Sequence, residues 1–189
     1  MKILHKLIKA PFLVVCAFFA LSVPASAVKG NAEQFINDFG HRAIRSLTTE
    51  APVDSTFLKL LDEGFDLDYI SRFVIGRYWK QFSPAQQAEF KEIFRQRLKD
   101  TYARRFKEYK GVVLTIKSSH LKEKNEIVET IIQKPGGPAT PVDWEVTNGN
   151  KIRDVIVEGV SMSQTMRSDY YAAYQNVGAT PESFLKSLK

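Results

Sequence analysis

Chemistry in this chain would have to come from a few histidines, scattered carboxylates and seven tyrosines. Beyond an N-terminal leader the histidines are His41 and His120. A metal site needs donors gathered at short, regular spacing, and neither histidine has a second histidine or an acid so placed. The one cysteine, Cys16, lies inside an apolar run near the N-terminus, so loss of that leader removes disulfides, thiolate ligands and thiol nucleophiles together. No serine occupies a nucleophile elbow. Gly136-Gly137 sits between Pro135 and Pro138 in a turn instead of opening a helix, so it forms no phosphate cradle. The remaining route to catalysis is a buried aspartate working with a tyrosine as acid and base, for which Tyr78, Tyr102 and Tyr170 are available. No catalytic constellation and no metal or cofactor signature emerges.

The leader itself reads as an export signal. Lys2, Lys6 and Lys9 precede an apolar run from Ala10 to Val23, and Ala25-Ser26-Ala27 supplies a small-residue cleavage site before Val28. The run is shorter than the roughly 20 apolar residues a membrane-spanning helix needs. The reading is therefore a signal peptide over 1–27 and one domain over 28–189. Three of the lysines behind the formal charge of +6 lie in the leader, and the other basic residues are interleaved with acids. A nucleic-acid binder concentrates its basic residues on one stripe, so nucleic acid is not the expected partner.

The elements that must position any site follow from caps and periodicity. Asn31 starts a helix to about Leu47, with Phe35, Ile36, Phe39, Ala43 and Ile44 near helical spacing. A second helix opens at Pro52 and ends at Gly64, and Asp66 caps a third over Leu67 to Gly76. Ser83-Pro84-Ala85-Gln86 combines an N-cap, a proline at the first helical position and a glutamine that reaches back. It predicts the longest helix, to about Tyr109, with Phe90, Phe94, Leu98, Tyr102 and Phe106 on one stripe. Four antiparallel strands follow: Val112 to Ser118, Ile127 to Gln133, and two more around Asn148-Gly149. That dipeptide favours a two-residue type I′ hairpin, which would set Trp144 opposite Arg153 and Val142 opposite Val155. Val142, Trp144, Val146, Val155 and Val157 then share one apolar face, while Asp143, Glu145, Asp154 and Glu158 point away. Ser161 begins a helix over Met162 to Val177, and Thr180-Pro181 a short terminal one.

This order gives an α+β class, a helical layer packed on a four-stranded antiparallel meander. Thirteen phenylalanines, seven tyrosines and two tryptophans are many for such a domain. Each ring buries roughly 150–250 Å², so the two layers either close into a filled core or stand apart around an apolar ligand. Periodicity does not separate the two.

Several segments in this order resemble the MlaC, or toluene-tolerance, family of periplasmic phospholipid-binding proteins. They are Phe65-Asp66, Gly76-Arg77-Tyr78-Trp79, Ser83-Pro84, Lys134-Pro135-Gly136-Gly137-Pro138 with Pro141-Val142-Asp143-Trp144, and Asp154 through Ser161. Asn150 and Arg153 depart from the family's Trp-Lys-Val-Tyr-Asp-Val pattern. The resemblance implies an NTF2-like cone enclosing an apolar pocket for acyl chains. It also implies a monomeric, non-enzymatic carrier in the periplasm, an auxiliary component of an ABC transporter that maintains outer-membrane lipid asymmetry. Its partners would be phospholipid, an inner-membrane ABC transporter with an MCE-domain ring, and an outer-membrane lipoprotein complex. On that resemblance Phe73, Tyr78, Phe94, Leu98 and Tyr102 line the helical side, Val142, Trp144, Val155 and Val157 the sheet side, and Met162 and Met166 an adaptable third wall. The alternatives are a small-molecule enzyme on the same cone plan, or a carrier for another lipid such as a hopanoid.

Overall fold

Turn chemistry decides where the strands meet, and here it differs from the simplest reading of the sequence. A computed structural model describes residues 31–49 and 53–189. Residues 1–27, the expected leader, lie outside the described residues, as does Pro52. Among the described residues six α-helices flank a sheet: α1 (Asn31–Thr49), α2 (Val53–Gly64), α3 (Leu67–Ile75) and α4 (Pro84–Tyr102) before it, α5 (Met162–Asn176) and α6 (Pro181–Leu188) after it. The sheet is an antiparallel meander in the order β1 (Val113–Lys122), β2 (Asn125–Gln133), β3 (Ala139–Thr147), β4 (Ile152–Val157) and β5 (Val160–Ser161).

The meander thus has five strands, not four. The type I′ geometry sits at Glu158-Gly159, where both residues have positive φ (51° and 80°), and this tight turn folds β5 back on β4 through the pair Val157 and Val160. Asn148-Gly149 instead belongs to a three-residue loop. The Thr147 amide donates to Lys151 O at 2.9 Å, the Asn150 amide to Thr147 O at 2.9 Å, and Asn150 takes the left-handed conformation at φ 55°. A second residue is inserted beyond it, because Glu145 pairs with Asp154 while Val146 pairs with Ile152, which leaves Arg153 in a bulge. The expected register is therefore wrong by two residues: Trp144 faces Val155, and Val142 faces Val157. Two slips of one residue restore the side-chain parity, so Val142, Trp144, Val146, Val155 and Val157 still share a face. On β2 the ambiguity resolves with Val128 opposite Trp144 and Thr130 opposite Val142, both inward.

Helix starts follow the sequence closely. The Asp66 carboxylate accepts from the Tyr69 amide at 3.1 Å, and Ser83 and Gln86 form a reciprocal capping box. The long helix ends sooner than its stripe suggests, and a 3₁₀ segment, Ala103–Tyr109, completes the run. Pro135 and Gly136, the latter at φ 71°, make the β2–β3 turn, closed by Gly137 N to Lys134 O at 3.0 Å.

Two aromatic-rich clusters form the interior. The first joins α1 and α2 to the sheet through Ile36, Phe39, Leu47, Phe57, Leu60, Leu61, Val128, Val146 and Ile152. The second joins α3, α4, α5 and α6 through Ile70, Val74, Tyr78, Phe82, Phe90, Phe94, Tyr174, Phe184 and Leu185. Phe65, Leu67 and Leu98 pack on both. A stitch holds them together at one end: Asp66 N donates to Ile152 O at 2.9 Å, and Lys151 Nζ donates to Asp62 O and Glu63 O, the last carbonyls of α2. Gly64 lies here because a β-carbon would stand 2.2 Å from Phe39 Cζ.

Candidate functional site

The seam between the two clusters is fringed by apolar side chains that are only partly buried. Leu98, Tyr102, Trp144 and Val155 fringe the first cluster and Phe73, Leu98 and Met166 the second, all half-buried. Val157 and Met162 are also half-buried and belong to neither cluster. Eight of the eleven expected wall residues are thus half-buried. The other three are filled in. Val142 is buried beneath the sheet face. Tyr78 stacks on Tyr174 with centroids 4.4 Å apart, and Phe94 lies 5.9 Å from Phe90 and 5.7 Å from Tyr170. The structure places these last two inside the second cluster, where core packing accounts for them.

Trp144 is held by a residue that the sequence did not single out. Its indole Nε1 donates to Thr130 Oγ1 at 3.0 Å, and that hydroxyl donates in turn to Val142 O at 2.6 Å. Thr130 is only 1 % exposed, a buried polar group with its hydrogen-bonding capacity met, and it fixes the ring against the sheet. The signal was a threonine between apolar residues on a strand whose facing stayed ambiguous. Thr130→Val keeps the shape but strands the indole N–H, and is expected to cost about 1 to 3 kcal/mol in urea unfolding, with altered tryptophan fluorescence in the native state.

Charges surround the seam without entering it. Arg153 does not meet Trp144: from its bulge it pairs with Asp66 Oδ2 at 2.9 Å and stacks over Tyr69 at 4.2 Å. Arg167 donates to Phe73 O at 2.7 Å at the end of α3 and covers the Phe73 ring at 4.8 Å, close against Gly76, whose φ is 57°. Asp154 anchors the start of α5. It accepts from the amides of Val155 and Ser163, both at 2.9 Å, and from the Ser161 hydroxyl at 2.5 Å. On the outer face Asp143 is the one carboxyl group among the described residues held above its usual range, by burial first and then by the Glu129 charge. It faces away from the seam. Among the described residues no three metal-ligating side chains gather, and no helix is long and apolar enough to cross a membrane. Two open hollows, about 470 Å³ beside Leu58, Asp62 and Arg95 and about 700 Å³ beside Phe35, His41 and Arg45, are not lined by any of the expected wall residues.

Comparison with known proteins adds a decisive observation. The family model for the MlaC protein matches residues 32–189. The chain belongs to the MlaC family. A curated relative, the toluene tolerance protein Ttg2D of Pseudomonas putida, is 23% identical over 173 residues, which is 89% of this chain and 79% of the relative. A phospholipid-binding protein from Ralstonia solanacearum, solved in complex with a phospholipid, superposes with a TM-score of 0.74 at 17% identity, covering 84% of this chain and 95% of the other. At that identity the likeness establishes a shared fold. Within this MlaC chain the segments that carried the resemblance serve identifiable structural ends. Asp66 caps α3 and pairs with Arg153, Ser83-Pro84 starts α4, Pro135-Gly136 closes β2 onto β3, and Asp154 through Ser161 joins the sheet to α5.

Proposed function

We propose that this protein is a periplasmic phospholipid carrier, a single exported domain over 28–189 that holds acyl chains in the seam between the sheet and α3, α4 and α5. The observation that carries the reading is the set of apolar side chains that stay only half-buried, Trp144, Val155 and Val157 on the sheet and Phe73, Leu98 and Met166 on the helices. An apolar wall left open is costly in water and is relieved by an apolar ligand. Each CH₂ removed from water contributes about 0.8 kcal/mol, so two acyl chains supply a large driving force without any headgroup contact. Membership of the MlaC family and a shared fold with a protein solved with phospholipid support the same reading. On it the NTF2-like cone is the lipid-filled form of the two layers. Partners on the two membranes, a lipoprotein complex outside and an ABC transporter with an MCE ring inside, exchange the cargo.

The carrier is not an enzyme on this reading. The carboxyl group with the raised pKa, Asp143, stands on the opposite side of the sheet from Tyr102 and Tyr170, so it does not complete an acid–base pair with them. Native mass spectrometry of gently purified protein tests the proposal. Bound species at phospholipid masses are expected, and protein that is uniformly free of lipid would overturn it. A hopanoid mass in place of a phospholipid would move the cargo to the other lipid class.

A further inference from the structure

We propose that the Tyr170 hydroxyl donates a hydrogen bond to an ester carbonyl of the bound lipid, giving the seam a preference for ester-linked over ether-linked chains. The inference rests on the carrier reading above. Tyr170 stands on α5 one turn beyond Met166, with its ring edge-on to Phe90, Phe94 and Phe184 at 5.6, 5.7 and 6.2 Å. Neighbouring tyrosines have satisfied hydroxyls: Tyr174 donates to Gln81 Oε1 at 2.7 Å, and Tyr78 accepts from Arg77 at 2.8 Å. The Tyr170 hydroxyl has no hydrogen-bond partner among the described residues. No buried side-chain nitrogen or oxygen among them is left unsatisfied, so this oxygen keeps some exposure. Leu98 and Met166, which the carrier reading places at the seam, pack on the same cluster as Tyr170 and are half-buried like it.

The donor stays neutral and the surroundings choose the acceptor. Burial, above all, pushes the Tyr170 phenol up to about 12, against the opposing charge of Arg97. A phosphate beside three phenylalanine rings would lose its hydration for one hydrogen bond, whereas a carbonyl is neutral and costs far less to bury. The ester group also lies where apolar chains end, which matches a hydroxyl at the edge of an apolar wall.

The test is a competition. Protein is incubated with vesicles containing equal amounts of dipalmitoyl and dihexadecyl phosphatidylcholine, which share headgroup and chain length but differ in the carbonyls. It is then re-isolated and its lipid quantified by mass spectrometry. One neutral hydrogen bond corresponds to about a two- to ten-fold enrichment of the diester in the wild-type protein. Tyr170→Phe is expected to take up lipid with the ratio reduced to near one. No enrichment by the wild type, or the same enrichment by wild type and Tyr170→Phe, overturns the proposal. Uptake of neither lipid by the wild type overturns the carrier reading itself, a result separable from the first two.

Discussion

Replacing Val157 with glutamate is expected to give a folded protein emptied of phospholipid. Val157 pairs with Val142 on the inner face of the sheet but belongs to neither buried cluster, and it is half-buried. In the empty protein a carboxylate there keeps its contact with water, so the substitution falls among surface changes of about 0.5 kcal/mol. With acyl chains laid over the wall the same charge loses its hydration without a partner, a penalty of several kcal/mol in practice. The difference between the two states is read as affinity, at tenfold for about each 1.4 kcal/mol, so lipid phosphate per protein should fall by at least that factor. Extraction and phosphate assay measure the content, and thermal unfolding of the delipidated protein should move by no more than about 2 °C. Ile156→Gln, one residue away on the outer face, should retain normal lipid. Normal lipid in a folded Val157→Glu variant would show that the seam is not the binding site. Val142 is the poorer choice, since at 4 % exposure a charge there unfolds the protein before it reports on lipid.

That contrast between Val142 and Val157 also marks how far the sequence could be read. Alternation placed both on one face and was right, because facing depends only on parity. It could not say that one is buried and the other open, which depends on how closely α5 approaches β4. The register was misread for a local reason. Asn148-Gly149 has the composition of a type I′ turn, yet Asn150 can adopt the left-handed conformation and extend the loop to three residues. The bulge at Arg153 has no composition signal at all. It follows from tertiary demands at the β4 end, where Arg153 reaches Asp66 and Ile152 bridges to the segment between α2 and α3. The fifth strand was missed because Glu158 seldom takes positive φ, and the turn it shares with Gly159 is set by the Val157–Val160 pair.

The helical side shows the same division. Caps at Asp66, Ser83, Ser161 and Thr180 were legible because each is a short-range hydrogen bond between neighbours in sequence. The stripe of α4 was legible too, but a stripe says only that residues point inward. Phe90 and Phe94 meet α5 and α6, while Leu98 and Tyr102, one and two turns on, pack half-buried on the first cluster. Only the path of the later helices separates them. Thr130 was hidden for a different reason: its importance lies in a hydrogen bond to a residue on the next strand, fourteen positions away.

The largest loss of stability is expected from Phe90→Ala. Phe90 is fully buried at the centre of the second cluster, with ring centroids of Phe94, Phe184 and Tyr170 within 5.9 Å and those of Trp79 and Phe82 at 6.3 Å. Truncation removes the transfer energy of the ring and leaves a cavity that five large, mutually packed neighbours cannot close, a cost of about 3 to 5 kcal/mol. Against a typical total of about 5 to 15 kcal/mol, this is a large fraction of what holds the fold. For a chain of this length it should lower the unfolding midpoint by about 6 to 20 °C, read by circular dichroism on delipidated protein. The damage should also reach the seam, because Phe90 supports Tyr170 edge-on and fixes α4 against α5. Lipid binds the folded state alone and stabilises it by mass action, so adding phospholipid vesicles should recover part of the lost midpoint. A loss below about 1 kcal/mol would mean that the cluster is not closed around Phe90. A full loss with no recovery by lipid would mean that the α4–α5 wall does not take part in holding the cargo.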